Sequence, residues 1–238
     1  MQLGTTDYVA MTVGPDNYGH LDDYFVQEGL AYRITPFNTK KSGKDIDTEK
    51  MYENLMNRFA FGGIDKPGIY LDETVTRMCS THRRIFSLLA TRLVQEGKLD
   101  KAAKVVEKVE KVIPPSIVPH SYSSGSLDLA RVCNTLGKKK EACDIAYPIA
   151  TTAAEYLEWY LNLPTKTLLL SERNCMSSLY QMHSAIGILE SAGSTKTLEL
   201  AKKLDLYNQL LQARIYGSVG MDDADDSAEY EEDEEDSM

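Results

Sequence analysis

The stretch that decides the fold is residues 74–114, which read TVTRMCSTHRRIFSLLATRLVQEGKLDKAAKVVEKVEKVIP. In its first half, mostly apolar side chains recur three or four residues apart, which places them on one face of a helix. These positions are Val75, Met78, Cys79, His82, Ile85, Phe86, Leu89 and Leu93. Gly97 ends this helix, and Pro114 and Pro115 end a second helix that is apolar on one side. The sequence therefore predicts an antiparallel helical hairpin.

Spacing within this hairpin resembles a tetratricopeptide repeat. The positions that match are Phe86, Leu89, Ala90, Gly97, Leu99, Ala102 and Pro114. A second partial copy around Gly137 begins 40 residues later, and a looser helix pair flanks Gly193. Since one helix pair cannot bury its own apolar face, three successive pairs predict a short tetratricopeptide-like solenoid. An irregular helical bundle is the alternative.

The net charge of −10 is concentrated at one end of the chain. Residues 222–236 contain eleven carboxylates and no Lys or Arg, which leaves 25 acidic against 26 basic residues in the rest. Because like charges and few apolar side chains cannot offset the entropy of ordering, we expect a disordered tail. The 42% apolar content is enough for a core. A near-neutral body with one short lysine run, at 138–140, argues against nucleic-acid binding.

Neither a metal site nor a cofactor site is expected from the histidines and cysteines. The four histidines are scattered, and the four cysteines lack a paired spacing and lie in or beside helical apolar patterns, so we expect buried thiols. No run approaches the ~20 apolar residues of a membrane helix. We therefore expect no direct membrane insertion by this chain.

The chain divides by composition into three parts. Residues 1–70 predict a small α+β unit with two short strands, at 8–13 and 30–37, which are rich in β-branched and aromatic residues. Residues 71–217 predict the tetratricopeptide-like helical domain, and residues 218–238 the acidic tail. The predicted fold class is thus mainly α.

Smaller elements follow from local signals. Residues 21–28 predict one or two helical turns, and residues 38–47 a solvated loop. Asp47 or Thr48 can cap the helix that follows. We expect the last helix to end at Tyr216, before the glycines at 217 and 220.

Three blocks carry a more specific resemblance. They are YFVQEGLAYRITP at 24–36, DTEKMYENLM at 47–56 and YLDET at 70–74. In this order they resemble the C-terminal soluble region of a Bacteroidetes membrane-protein family known as domain of unknown function 2723. That family has a membrane part resembling protein O-mannosyltransferases. Residues 7–12 depart from it, because they lack the family's usual Trp-Arg-Pro strand.

The resemblance implies an accessory role. It makes this chain a non-catalytic protein-interaction or acceptor-presenting module of a membrane glycosyltransferase-like protein, at the periplasmic face of the inner membrane. The implied partner is a protein or peptide, such as an acceptor protein or a subunit of the membrane enzyme. The alternative is a free-standing cytoplasmic tetratricopeptide-like adaptor unrelated to glycosylation. We expect the chain itself not to be an enzyme.

The candidate binding residues lie in or beside the three blocks. They are Tyr32, Arg33, Tyr70, Asp72 and Arg77. A structural alternative is that Arg33 pairs with a carboxylate and fixes the strand unit to the first hairpin.

Two tail serines are candidates for O-glycosylation. Ser227 and Ser237 each follow an Asp and precede a small or apolar residue, which resembles the Bacteroidetes acceptor pattern.

Overall fold

A computed structural model describes residues 7–66 and 68–225. Near its N-terminus, three short strands form an antiparallel sheet in the order β1–β3–β2. These strands are β1 (Tyr8–Ala10), β2 (Phe25–Gln27) and β3 (Ala31–Ile34). Val9 lies opposite Tyr32, and Val26 lies opposite Arg33, so the central strand β3 pairs on both sides.

The two predicted strands, at 8–13 and 30–37, are present as the shorter β1 and β3, but the prediction missed β2, because it assigned residues 21–28 to helical turns. In residues 21–28 a short 3-10 turn, Asp22–Tyr24, is followed directly by β2. The side chains of Phe25 and Val26 are buried, which favours the strand over the helix that the two aspartates suggested. Gly29, at φ 135°, then allows the tight turn in which Glu28 N–H donates to the Ala31 carbonyl at 3.1 Å.

Two short helices follow the sheet. The region 38–47, predicted as a loop, contains α1 (Thr39–Ser42). The predicted capping by Asp47 is confirmed: its side chain accepts from Lys50 N–H at the start of α2 (Thr48–Glu53). A π-helical stretch, Asn54–Arg58, extends α2, and Met51 and Leu55 are completely buried.

The predicted hairpin is confirmed as α3 (Glu73–Gln95) and α4 (Leu99–Val112). Its shared core includes Phe86, Leu89, Val105 and Val109. At the start of α3 the apolar pattern misled the prediction, since Val75 and Met78 are exposed.

One turn geometry recurs after three helices. Gly97, Gly137 and Gly193 all have φ between 73° and 80°, a left-handed conformation that favours glycine. Just after each glycine, the next N–H donates to the carbonyl five residues earlier, as in Lys98 to Leu93 at 2.8 Å. The glycine spacing that predicted repeated helix pairs therefore reflects the same C-terminal turn, formed at the ends of three helices.

The remaining helices are α5 (Ser126–Thr135), α6 (Lys139–Leu161), α7 (Thr165–Leu170), α8 (Glu172–Ala192) and α9 (Thr197–Asp225). The sequence reading missed α7 and ended α9 too early. Gly217 does not have a positive φ, and the helix continues through it to Asp225. The mainly α class with a small N-terminal α+β unit is confirmed, whereas the tetratricopeptide type of the helix pairs stays a prediction. The tail beyond residue 225 lies outside the described residues.

Contacts divide the chain into two compact units, residues 1–145 and 146–238. In the first, α5 packs against α3 and α4, and α2 packs against α3. In the second, α9 packs against α7 and α8 around Leu168, Met182 and Leu189. Arg214 on α9 donates to the carbonyls of Leu161 and Leu163. The predicted domain boundaries at 70 and 217 stay a prediction.

Candidate binding cleft

A cleft of about 550 Å³ opens in the first unit where β2, β3, α1 and the start of α2 meet. It combines three apolar side chains and two cations with hydroxyl, amide and carboxylate groups. The lining residues are Val26, Arg33, Thr35, Phe37, Asn38, Thr39, Ser42, Lys44, Ile46, Asp47 and Thr48. We refer to this site as the 26–48 cleft.

Helix α1 is fixed beside the sheet by its own capping groups. The Asn38 side chain accepts from Lys41 N–H at 2.9 Å, and the Thr39 hydroxyl donates to the Phe25 carbonyl at 2.6 Å. At the other end Gly43, at φ 65°, turns the chain so that Lys44 N–H donates to the Thr39 carbonyl at 3.0 Å. Lys44 is thereby held at the edge of the 26–48 cleft.

The opposite wall is bonded directly to β2. Gln27 N–H donates to the Asp45 carbonyl at 2.8 Å, and Asp47 N–H donates to the Gln27 carbonyl at 3.0 Å. This parallel bridge holds Ile46 next to the strand. The side chain of Asp47 then caps α2, so one short segment both lines the cleft and begins the next helix.

A buried carboxylate beside the cleft orients its arginine. Glu28 is 4% exposed and accepts from Arg33 Nε at 2.5 Å and from the Tyr8 hydroxyl at 3.0 Å, and Lys50 Nζ lies 3.0 Å away. Burial acts to raise the pKa of Glu28, but hydrogen bonds from Arg33, Lys50 and Tyr8 outweigh it and lower that pKa. The bond to Glu28 in turn raises the pKa of Arg33.

Two cations of the cleft retain free donors. Across the described residues, no hydrogen bond or ion pair involves the ammonium of Lys44 or the two terminal nitrogens of Arg33. Phe37 is 74% exposed. The cleft therefore presents cationic donors beside an accessible aromatic ring, a combination suited to binding.

The structure separates the five candidate residues predicted from sequence. Arg33 lines the 26–48 cleft. Tyr32, its neighbour on β3, has its ring stacked on that of Phe25, with centroids 5.4 Å apart. Since successive strand residues face opposite sides, only one of the pair reaches the cleft.

The other three candidates lie elsewhere. Tyr70 is 89% exposed, Asp72 accepts from Val75 N–H at 2.8 Å as the N-cap of α3, and Arg77 is exposed on that helix. Within the described residues, no hydrogen bond, ion pair or ring contact joins them to the cleft. Their role in binding stays a prediction. Ser227 and Ser237 lie outside the described residues.

The suggested structural role of Arg33 has a different form in the structure. Its carboxylate partner, Glu28, belongs to the same sheet unit. The sheet unit meets the hairpin through other pairs: Arg92 lies 3.2 Å from Asp45, and the Thr48 hydroxyl donates to Glu96 at 2.9 Å.

Sequence reasoning missed Phe37, which it placed in the strand at 30–37, and Thr39 and Lys44, since it treated 38–47 as a loop. A usable signal was present. Asn38 is a favourable N-cap and Gly43 a favourable C-terminal residue, and together they bracket one helical turn.

A second polar cluster is buried under the loop between α4 and α5. The guanidinium of Arg83 donates to the carbonyls of Ile113 and Val118, both at 2.7 Å, and of Pro119 at 3.0 Å. Burial lowers its pKa, and Glu110 acts in the opposite direction. Because Arg83 is fully buried, this cluster is a structural anchor for the loop.

In the same region, His120 of the loop lies between Glu110 of α4 and Ser126 at the start of α5. His120 Nδ1 lies 3.0 Å from Ser126 Oγ, and its Nε2 lies 3.5 Å from Glu110. Although these residue types occur in hydrolases, Ser126 is fully buried and no substrate could reach its hydroxyl. We interpret this group as part of the core.

The expected burial of the thiols is seen at three of the four cysteines. Cys79, Cys133 and Cys175 are buried, Cys143 is half-buried, and none forms a disulfide. Burial raises the pKa of Cys133 to about 12. Within residues 7–66 and 68–225, no three His, Cys, Asp or Glu side chains are grouped closely enough to hold a metal ion.

The comparison with protein families places the cleft in a recognised segment. Residues 6–52 match the family model described as TMEM260-associated domain 2. The whole 26–48 cleft lies inside this match. No curated protein and no solved structure matches the chain.

This match supports the expected resemblance at a coarse level. It identifies a domain associated with a membrane protein. The narrower resemblance to the Bacteroidetes family stays a prediction. Among the described helices, none is long and apolar enough to cross a membrane.

Proposed function

We propose that this chain is a non-catalytic protein-interaction module that binds a segment of its partner in the 26–48 cleft. One observation carries the proposal: the cleft lies entirely inside the segment matched to a membrane-protein-associated domain. It presents the exposed Phe37, and within the described residues the Lys44 ammonium and the two terminal nitrogens of Arg33 have no hydrogen-bond or ion-pair partner. Groups that suit binding are thus found where the chain matches a family model.

The proposed partner is a membrane glycosyltransferase-like protein or its acceptor protein. The order of the three sequence blocks supports this choice, since it resembles the soluble region of a family with such a membrane part. In this proposal the module works at the periplasmic face of the inner membrane and presents acceptor protein to the enzyme. A free-standing cytoplasmic adaptor is the second candidate, favoured by the repeated helix pairs alone.

Affinity capture from detergent-solubilised membranes tests the proposal. The tagged chain is compared with its Phe37→Ala, Lys44→Met double variant, and captured proteins are identified by mass spectrometry. We expect the unaltered chain to enrich a membrane-spanning glycosyltransferase-like protein, or a protein modified by it, and the double variant to lose most of it.

Three other results would change the interpretation. Enrichment of soluble proteins alone, again lost in the double variant, would favour the adaptor. Equal capture by both chains would show that the cleft is not the interaction site. Glycosyl transfer by the isolated chain would contradict its non-catalytic role.

A further inference from the structure

From the charges and apolar groups of the 26–48 cleft, we propose that its ligand is an extended peptide segment bearing a carboxylate next to an apolar side chain. Arg33 and Lys44 bind the carboxylate, and the apolar side chain packs on Phe37. This inference rests on the proposed function and adds the chemistry of the partner segment.

The first support is the contrast between Lys44 and neighbouring cations. Lys40 Nζ lies 2.5 Å from Asp22, and Lys50 Nζ lies 3.0 Å from Glu28. Arg92 is paired with Asp45 as well. Within the described residues Lys44 has no such partner, although it lines the cleft. The region thus has a cation available for an external carboxylate.

The second support is the fixed position of Arg33. Its Nε is held by the buried Glu28 at 2.5 Å, while its side chain is 29% exposed. Because a guanidinium presents its donors in a rigid fork, anchoring at Nε orients the two terminal nitrogens. A carboxylate matches the geometry of those donors.

Apolar groups and net charge distinguish a peptide from a phosphate. Phe37 lines the cleft with Val26 and Ile46, and an inorganic anion would leave these groups without contacts. Asp47 also lines the cleft, and Glu28, bonded to Arg33 and Lys50, lies beside it, so two carboxylates offset two of the three cations Arg33, Lys44 and Lys50. The remaining single positive charge matches one carboxylate better than a doubly charged phosphate.

The cleft's size also suits a short peptide segment. Its volume of about 550 Å³ lies within the ordinary range of ligand sites. We infer that it accepts an acidic residue together with one apolar neighbour, and that flanking peptide residues remain outside.

Fluorescence anisotropy with the full chain tests the inference. The probe is a fluorescein-labelled peptide of sequence Gly-Leu-Glu-Val-Gly with an amidated C-terminus, and its control has Gln in place of Glu. We expect the Gln peptide to bind about 10-fold more weakly, since it loses the charge on both contacts. Affinity for the Glu peptide falls as salt is added.

Variants of the chain separate charge from fold. Lys44→Met weakens binding of the Glu peptide about 3-fold, and Lys44→Arg restores it. Lys41→Met is the matched control, because Lys41 is exposed on α1, three residues before Lys44, but does not line the cleft. It leaves the affinity unchanged. Phe37→Ala lowers the affinity for both the Glu peptide and the Gln peptide.

Distinct results would overturn this inference and the proposed function. Equal binding of the two peptides, with no effect of Lys44→Met, would exclude the carboxylate ligand and leave the cleft as an interaction site. Absence of saturable binding of the Glu peptide at low salt would also exclude this ligand class. Phosphate and acetate are also compared as competitors of the Glu peptide. If inorganic phosphate displaces the peptide at the same concentration as acetate or at a lower one, the cleft is a general anion site instead. The affinity capture from solubilised membranes tests the proposed function separately: equal capture by the unaltered chain and the double variant would show that it is wrong.

Discussion

Arg83 shows how one buried charge can organise a loop. Its guanidinium donates to the carbonyls of two buried residues, Ile113 and Val118, and to that of the exposed Pro119. Its own Nε has no hydrogen-bond partner within the described residues. The side chain therefore contributes through the loop that it holds rather than through a completed ion pair.

We expect Arg83→Met to lower the free energy of unfolding by about 3 kcal/mol, because the carbonyls of the buried Ile113 and Val118 lose their donor. Urea denaturation followed by circular dichroism measures the change. Arg84→Met is the control, since Arg84 is the exposed neighbour on the same helix, and should change stability by less than about 0.5 kcal/mol. Equal effects of the two substitutions would contradict the anchoring role.

Glu28 predicts a pH dependence. Its folded-state pKa lies below the ordinary 4.5, so its stabilising contribution is complete above pH 4.5 and is lost as the pH falls through the lower folded value. At pH 7 we expect Glu28→Gln to cost about 1 kcal/mol. The difference from the unaltered chain should shrink below pH 4.5.

Urea denaturation over a pH series gives this comparison. Glu155→Gln is the control, because Glu155 is exposed on α6 and its carboxylate has no hydrogen bond or ion pair within the described residues. A stability difference for Glu28→Gln that stays constant from pH 7 to pH 3 would refute the role given to the carboxylate.

At the scale of elements, glycine conformation explains where helices end. Gly97, Gly137 and Gly193 adopt positive φ, whereas Gly187 lies inside α8 without one and has open space around it. We expect Ala at 97, 137 or 193 to destabilise the protein by about 1 kcal/mol each. Gly187→Ala should stabilise it by about 0.5–1 kcal/mol.

Thermal or urea denaturation of the four single variants measures these effects. If all four substitutions stabilised the protein, helix propensity rather than turn geometry would control stability at these sites.

How far the sequence predicts an element depends on whether local signals agree. The hairpin α3–α4 was predicted because apolar periodicity, a turn glycine and a closing proline coincide. Strand β2 was missed because it has only three residues and follows two aspartates that suggest a helix start. Its identity depends on pairing with β3, which no local pattern encodes.

The cleft was predicted only through Arg33. Phe37 and Lys44 are recognised as neighbours of Arg33 only after α1 has folded against β2. Such proximity is a tertiary property, so residue types alone could not indicate it. Ion pairs such as Arg92–Asp45 are invisible in the sequence for the same reason.

At the scale of the molecule, the sheet and the first hairpin belong to one compact unit, residues 1–145. Met51 and Leu55 are buried completely, and Phe61 contacts Phe86 of α3 with ring centroids 5.8 Å apart. The composition-based boundary at residue 70 would instead separate these parts. We expect the shared buried core, rather than the change in composition at residue 70, to determine which residues unfold together.

Native-state hydrogen exchange tests this unity. Amides of β3 and of the middle of α3 should exchange through a common opening with similar free energy, because they share one core. Exchange of β3 at a much lower free energy, independent of α3, would support the boundary at residue 70.

Site-specific photo-crosslinking tests the central claim most directly. A benzoylphenylalanine is placed at Phe37 in the 26–48 cleft or, as a control, at Trp159, which is also aromatic and 56% exposed but lies outside the matched segment. Both chains are irradiated in source cells. We predict a crosslink to a membrane-associated partner from position 37 alone, reduced by Lys44→Met. Crosslinks to that partner from position 159 alone would contradict the assignment of the cleft as the interaction site.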